Sequence, residues 1–243
     1  MFAASLASTQ LPAFSQQADF YYPINATPAS YAIAGLAYSA QFMRTEIKIL
    51  PDGSKSTNLT YYDQARDGEG RVVTRVQCSG CALSKEKTRP YQVLIDDPAM
   101  QRVIHLYSEE QLAIVFGTPV AAGQAGQPPS LQRMSMQTEL SKPAVLQGKM
   151  IGGMYATGLR WTRTMPAGQS GSDRQVEIVT ERWYSPELKI MLLDKISDPR
   201  FGETIEEVTS VIRANPDPAL FQIPTSYRIQ NMPPIAPKQP IRH

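Results

Sequence analysis

Cys78-Ser79-Gly80-Cys81 is the stretch most able to do chemistry. A C-x-x-C pair acts as a redox dithiol when one thiol pKa is lowered, typically at a helix N-terminus. Here a strand-like run precedes it, and no βαβ pattern surrounds it. As a zinc site it supplies half of a four-ligand set, and His105 alone does not complete it. The reading kept for Cys78 and Cys81 is a turn disulfide or two thiols without a catalytic role.

The other reactive types are as sparse. His105 sits within Val103–Tyr107 with no G-x-S-x-G elbow anywhere in the chain, so a nucleophile triad has no anchor. Asp96-Asp97 and Glu206-Glu207 are neighbours in sequence. On a strand, neighbours point to opposite faces, so spacing alone gives neither pair a shared proton. A hydrolase would need a carboxylate pair assembled by the fold. Asp52, Asp67, Asp97, Asp198 and Asp217 stand where turn chemistry explains them. No phosphate loop occurs. Arg160-Trp161-Thr162-Arg163 interleaves base and aromatic, but on a strand Trp161 and Arg163 share one face and Arg160 and Thr162 the other. No catalytic residue, metal or cofactor is assigned.

The elements that must position these residues are strands. In Gln41–Leu50, Met43, Thr45, Ile47 and Ile49 alternate with Arg44, Glu46 and Lys48, which is the period of a half-buried strand. Pro51-Asp52-Gly53-Ser54 and Asp67-Gly68-Glu69-Gly70 are turns between it, a strand over 55–64 and a strand over 71–77. Tyr91–Asp96 and Arg102–Tyr107 continue the meander. Ser108-Glu109-Glu110-Gln111 has capping-box form and predicts a short helical turn. Strands follow over 139–150, 155–165, 176–184, 189–196 and 204–213. Pro216–Phe221 predicts one helical turn begun by Asp217. About ten strands at hairpin spacing predict an all-β domain with minor α content, a curved antiparallel sheet or half-barrel.

This domain is expected over 37–230, with a Pro/Gly/Ala/Gln-rich surface loop at 118–130. Residues 1–36 read as a signal-like or disordered lead-in, and 231–243 as a Pro-rich tail. The first fifteen residues carry no charged side chain, and Ala13-Phe14-Ser15 has the small-x-small form of an export cleavage site. The expectation is an exported protein, periplasmic or extracellular.

Composition excludes more than it selects. In 243 residues, 42% are hydrophobic, so a sizeable core is available. Lys plus Arg is 24 against 22 acidic residues, a balance that argues against a nucleic-acid partner. No run of 18 apolar residues predicts a transmembrane helix. Tyr155, Trp161, Trp183 and Met191 crowd the C-terminal strands and are the candidates for a ligand-lined wall. Packing of an ordinary core is the competing use of them.

Several stretches carry a resemblance. Asp67 to Arg71 resembles a "D-x-x-G-R" strand of a group of uncharacterised secreted bacterial proteins, and Ile95-Asp96-Asp97-Pro98 resembles their "I-x-D-P" turn. Glu181–Leu188, Ser197–Thr204 and the closing Pro216–Pro224 are similar to their C-terminal half. More distantly, the strand succession and the closing Leu220-Phe221-Gln222-Ile223-Pro224 element are similar to LolA/LolB-like lipoprotein carriers. That resemblance implies a half-barrel and a bound lipid, acyl chain or lipoprotein. The expected function is non-catalytic binding of a hydrophobic ligand in the concave face. The alternatives are an envelope protein–protein module with a filled core, and a thiol-redox or hydrolytic enzyme using Cys78 and Cys81.

Overall fold

The computed structural model describes residues 34–76, 92–117, 142–168 and 173–232. These form one sheet of twelve strands. In chain order they are β1 (Tyr38–Ile49), β2 (Lys55–Arg66), β3 (Val72–Val76), β4 (Gln92–Asp97), β5 (Arg102–Tyr107), β6 (Leu112–Gly117), β7 (Ala144–Ile151), β8 (Met154–Met165), β9 (Val176–Ser185), β10 (Ile190–Asp198), β11 (Gly202–Ile212) and β12 (Arg228–Met232). The spatial order is β12-β6-β5-β4-β3-β2-β1-β11-β10-β9-β8-β7. Every pairing is antiparallel except β12 on β6. The two meanders, β1–β6 and β7–β11, are joined by pairing β1 with β11. The all-β, curved, open sheet expected from the strand spacing is therefore what forms.

Two elements differ from expectation. Ser108–Gln111 is a hairpin turn feeding β6, not a helical start. Its capping-box letters are overruled because Leu112–Gly117 pairs with β5 along its whole length. Arg228–Met232 adds an edge strand that its polar composition hid. Asp217 does start a 3₁₀ turn over Pro218–Phe221, accepting a hydrogen bond from the Ala219 N–H. The cysteine motif, the loop at 118–130, the export-like N-terminus and the end of the tail lie outside the described residues.

Two buried clusters hold the sheet. In the first, Ala65, Val73, Ile95, Ile104 and Val115 are directly opposite one another across β2 to β6, and so share a face. Phe221, Leu220, Ile223 and Tyr227 from the segment after β11 cover that face. In the second, Tyr38, Phe42 and Tyr62 of β1 and β2 pack with Trp183, Ile190 and Leu192 of β9 and β10, Ile151 and Met154 of the β7–β8 tip, and Val208. Four strands lie between β2 and β8, so the β7–β8 tip reaches this cluster only because the sheet coils. Bulges in the β1–β11, β10–β9 and β7–β8 pairings sharpen the bend. Gly152 and Gly153 form the β7–β8 tip with φ of +56° and +81°. A Cβ on Gly152 would stand 2.5 Å from Val208 Cγ1, so only glycine lets the tip close there.

Arg66 clasps the coil. Its side chain is fully buried. Nε donates to the Leu36 carbonyl at 2.8 Å, and Nη2 donates to the Leu188 carbonyl, in the β9–β10 turn, at 2.5 Å. The guanidinium also lies 4.8 Å from the Tyr38 ring centre. Burial lowers its pKa, but an arginine stays charged at any ordinary pH. Arg66→Met removes both charge-assisted bonds while keeping an unbranched apolar stem. It is expected to cost on the order of 3 kcal/mol, read as a lower urea midpoint at pH 7. A midpoint equal to that of the parent protein would show that the clasp contributes nothing.

Candidate functional site

The strand alternation read in β1 is real, but the inner face is that of Arg44, not that of Met43. Tyr38, Ala40 and Phe42 precede Arg44 on its face and are buried, whereas Ile49 on the other face is exposed. The first half of the strand decides the orientation of the second half.

This orientation assembles a row of charges. Leu159, Arg182, Asp194, Glu206, Arg44 and Thr60 are directly opposite one another from β8 across to β2. Asp194 and Glu206 are both buried. Arg182 meets Asp194 at 3.3 Å, and Arg44 meets Glu206 at 3.7 Å. The Tyr62 hydroxyl donates to Glu206, and Tyr62 stacks on Phe42 with ring centres 4.6 Å apart. Arg44 also reaches Glu46 at 2.6 Å. Burial raises the Asp194 pKa, and Arg182 and Arg44 pull it back. The fold does bring two carboxylates together, as a hydrolase would require. Each is already held by a guanidinium, and Glu206 by a phenol as well.

Beyond this row the inner face opens. The next row outward is Trp161, Thr180, Ile196, Thr204, Glu46 and Asn58. Asn58 is exposed and Ile196 is 40% exposed. Trp161 is buried beneath Arg182, whose guanidinium carbon is 5.8 Å from the ring centre. Its indole N–H has no hydrogen-bond partner among the described residues. Toward Arg66 the face is filled instead. Tyr38 donates to Gln64 at 2.5 Å, and Gln64 donates to Thr74 at 3.2 Å.

The four residues picked out in the sequence all stand on β8 to β10, but in different surroundings. Tyr155 and Trp161 share one face of β8. Tyr155 is 52% exposed and its ring lies over Gly148. Trp183 alternates with Arg182 and therefore faces away from Trp161. It lies against Gly158, with Lys149 Nζ 4.0 Å from its ring centre. Met191 is buried opposite Tyr184.

The sequence reading weighed Glu206 only beside Glu207, and missed Arg44, Arg182 and Asp194 as its companions. The signal was present in part, since Asp194 stands between Leu192 and Ile196 on one face of its strand. Their union depends on three separate registers. Three of the stretches behind the resemblance contain turn locks. Asp67 accepts from the Glu69 and Arg71 N–H groups and from Arg71 Nε, and the Arg71 guanidinium lies 5.2 Å from the Phe221 ring centre. Asp97 with Arg102, and Asp198 with Arg200, repeat the device. Away from the inner face, a shallow cavity of about 270 Å³ lies beside Leu220 and Ile212 and includes the Asp63–Arg75 ion pair. Among the described residues, no group of three His, Cys, Asp or Glu side chains could hold a metal ion. Nor is any helix among them long and apolar enough to cross a membrane.

Asp96 faces the same way as Arg66, with Val72 and Val103 directly opposite. Burial, with Asp97 adding to it, pushes its carboxyl up to about 7. The unfolded carboxyl titrates near 3.9, roughly. The folded state therefore binds the extra proton. The stability this contributes is complete below about 4 and is lost as pH rises to about 7. Asp96→Asn is expected to leave Tm nearly unchanged at pH 4 and to raise it at pH 8. An equal shift at both pH values would contradict this.

No family model matches the chain. No curated protein matches it. Among solved structures, it is similar to an uncharacterised conserved protein from Thermus thermophilus, with TM-score 0.44, 8% identity, and coverage of 82% of this chain and 91% of that one. A chain of the Pseudomonas aeruginosa MucA/MucB complex matches with TM-score 0.40 and 13% identity over 81% of this chain and 58% of that one. A LolA-superfamily protein from Nitrosomonas europaea matches with TM-score 0.32 and 10% identity over 80% and 94%.

Proposed function

We propose that this chain is a non-catalytic, exported envelope protein that holds the apolar part of a lipid, acyl chain or lipoprotein against the open half of its inner face. The supporting observation is that this face is packed and clasped at the Arg66 end and open at the Ile196 end. Ile196 stands at the mouth, Trp161 lies in the same cross-strand row buried beneath Arg182, and Tyr155 is on the same face of β8 as Trp161. Trp183 and Met191 belong to the packed wall behind them. Each buried methylene of an acyl chain would contribute about 0.8 kcal/mol. The charge row neutralises itself, which suits a surface that positions a partner rather than one that transfers protons. Export rests on the uncharged first fifteen residues.

A second reading is an envelope protein–protein module without lipid. The filled cluster around Tyr38, Phe42 and Leu192 favours it. Native mass spectrometry of protein from the exported fraction, followed by lipid extraction, separates the two. The carrier reading expects co-purified acyl species and saturable uptake of a fluorescent fatty acid. Ile196→Asp, at a half-exposed site, should weaken that uptake at least tenfold without lowering Tm. A clean apo mass and no uptake would overturn the carrier reading and leave the interaction module.

A further inference from the structure

The two edges of the sheet are unlike. On one side β12 is polar, carries Arg228, and is followed at once in sequence by Pro233 and Pro234, which have no N–H to offer another strand. On the other side β7 ends the sheet with the sequence Ala-Val-Leu-Gln-Gly-Lys-Met-Ile. Its outer backbone groups have no neighbouring strand among the described residues. It contains no proline and a single charge, Lys149. A lysine on an edge ordinarily blocks further pairing. Here the ammonium is drawn back over the Trp183 ring, at 4.0 Å.

The bulge in β7 between Leu146 and Lys149 has a particular effect. Val145 and Met150 are an odd number of residues apart, so a regular strand would place them on opposite faces. With the extra residue, Val145 lies opposite Leu159, and Met150 opposite Tyr155, on one face of β8. Val145 is 83% exposed, Met150 63% and Tyr155 52%. The Tyr155 ring lies over Gly148 between them. The result is an apolar patch along an edge that no strand among the described residues covers, the combination that marks a strand-addition surface.

We propose that this edge pairs with the same edge of a second copy of the chain, β7 antiparallel to β7 about a two-fold axis between Gln147 and Gly148. The argument for a second copy is self-complementarity. In that register Val145 faces the other copy's Met150, Ala144 faces Ile151, and Lys149 faces Leu146. Each contact occurs twice, as two-fold symmetry requires. No charge meets a like charge, because the strand's single lysine lies opposite leucine. The two Tyr155 rings flank the axis. The pairing joins two sheets into one continuous sheet and leaves the Ile196 mouth of each copy free.

Sedimentation equilibrium of the full chain and of three variants tests this. All substitutions lie at exposed positions on the edge strands. The parent is expected to dimerise. Val145→Lys combined with Met150→Lys places ammonium against ammonium at both symmetric contacts and should leave only monomer. Val145→Glu combined with Met150→Lys places carboxylate against ammonium in the same register and should restore the dimer. Ile229→Lys, on the β12 edge, should leave dimerisation unchanged. A monomeric parent at 100 μM, roughly the weak end of specific self-association, would overturn the proposal. So would a dimer indifferent to the double lysine variant. Failure of the charge-reversed pair to recover would overturn the register and with it the two-fold arrangement. Circular dichroism of each variant, matching the parent, establishes that loss of dimer is not loss of fold.

Discussion

A coiled single sheet has to be held closed by something other than its ladders, because hydrogen bonds between neighbouring strands do not fix how far the whole sheet curls. In this protein the Arg66 guanidinium does so. It starts on β2, crosses the inner face and bonds to the Leu188 carbonyl in the β9–β10 turn. Two strands, β1 and β11, lie between β2 and β10. A buried guanidinium carries a heavy desolvation cost, so it is tolerated only where its donors are engaged. Two main-chain carbonyls and the face of Tyr38 meet that requirement. The apolar cluster of Tyr38, Phe42, Leu192 and Val208 then fills the space that the closure creates. Gly152 lets the β7–β8 tip come down on Val208 to finish the end.

From that closed end, the inner face changes character in steps. It passes from the apolar cluster, through Tyr62, to the row of Arg182, Asp194, Glu206 and Arg44, and then to the open rim at Ile196. Two buried carboxylates directly opposite each other would repel if left alone. One arginine on each side and the Tyr62 hydroxyl offset that repulsion. Such a row contributes little net stability compared with apolar residues of the same volume. What it does is fix the register of four strands at once, because a slip of one residue in any of them would bury an unpaired charge.

Three Asp–Arg turns do comparable work at the strand ends. Asp67 with Arg71, Asp97 with Arg102, and Asp198 with Arg200 each satisfy main-chain N–H groups and a guanidinium within a few residues. Arg71 extends the device by lying against Phe221, which ties the β2–β3 turn to the 3₁₀ segment covering the other face. The three turns lie in three of the five stretches whose sequence resembles a group of secreted bacterial proteins. Their chemistry is that of turn geometry, so the likeness speaks to architecture.

The strands, most of their turns and the 3₁₀ start at Asp217 were legible in the sequence, because alternation and turn residues are local and act over a few positions. The all-β class followed from them. The sequence did not reveal β6 or β12, whose pairing is set by their neighbours rather than by their own composition. It did not show which side of β1 faces inward, since Arg44 and Met43 sit on equally regular alternations. It also could not show that Glu206 and Asp194 meet, because each lies on its own strand and only the registers of β10 and β11 place them opposite each other. Local pattern determined the elements. The curl of the sheet, the buried charge row and the exposed β7 edge are properties of how distant strands align, and only the tertiary structure decided them.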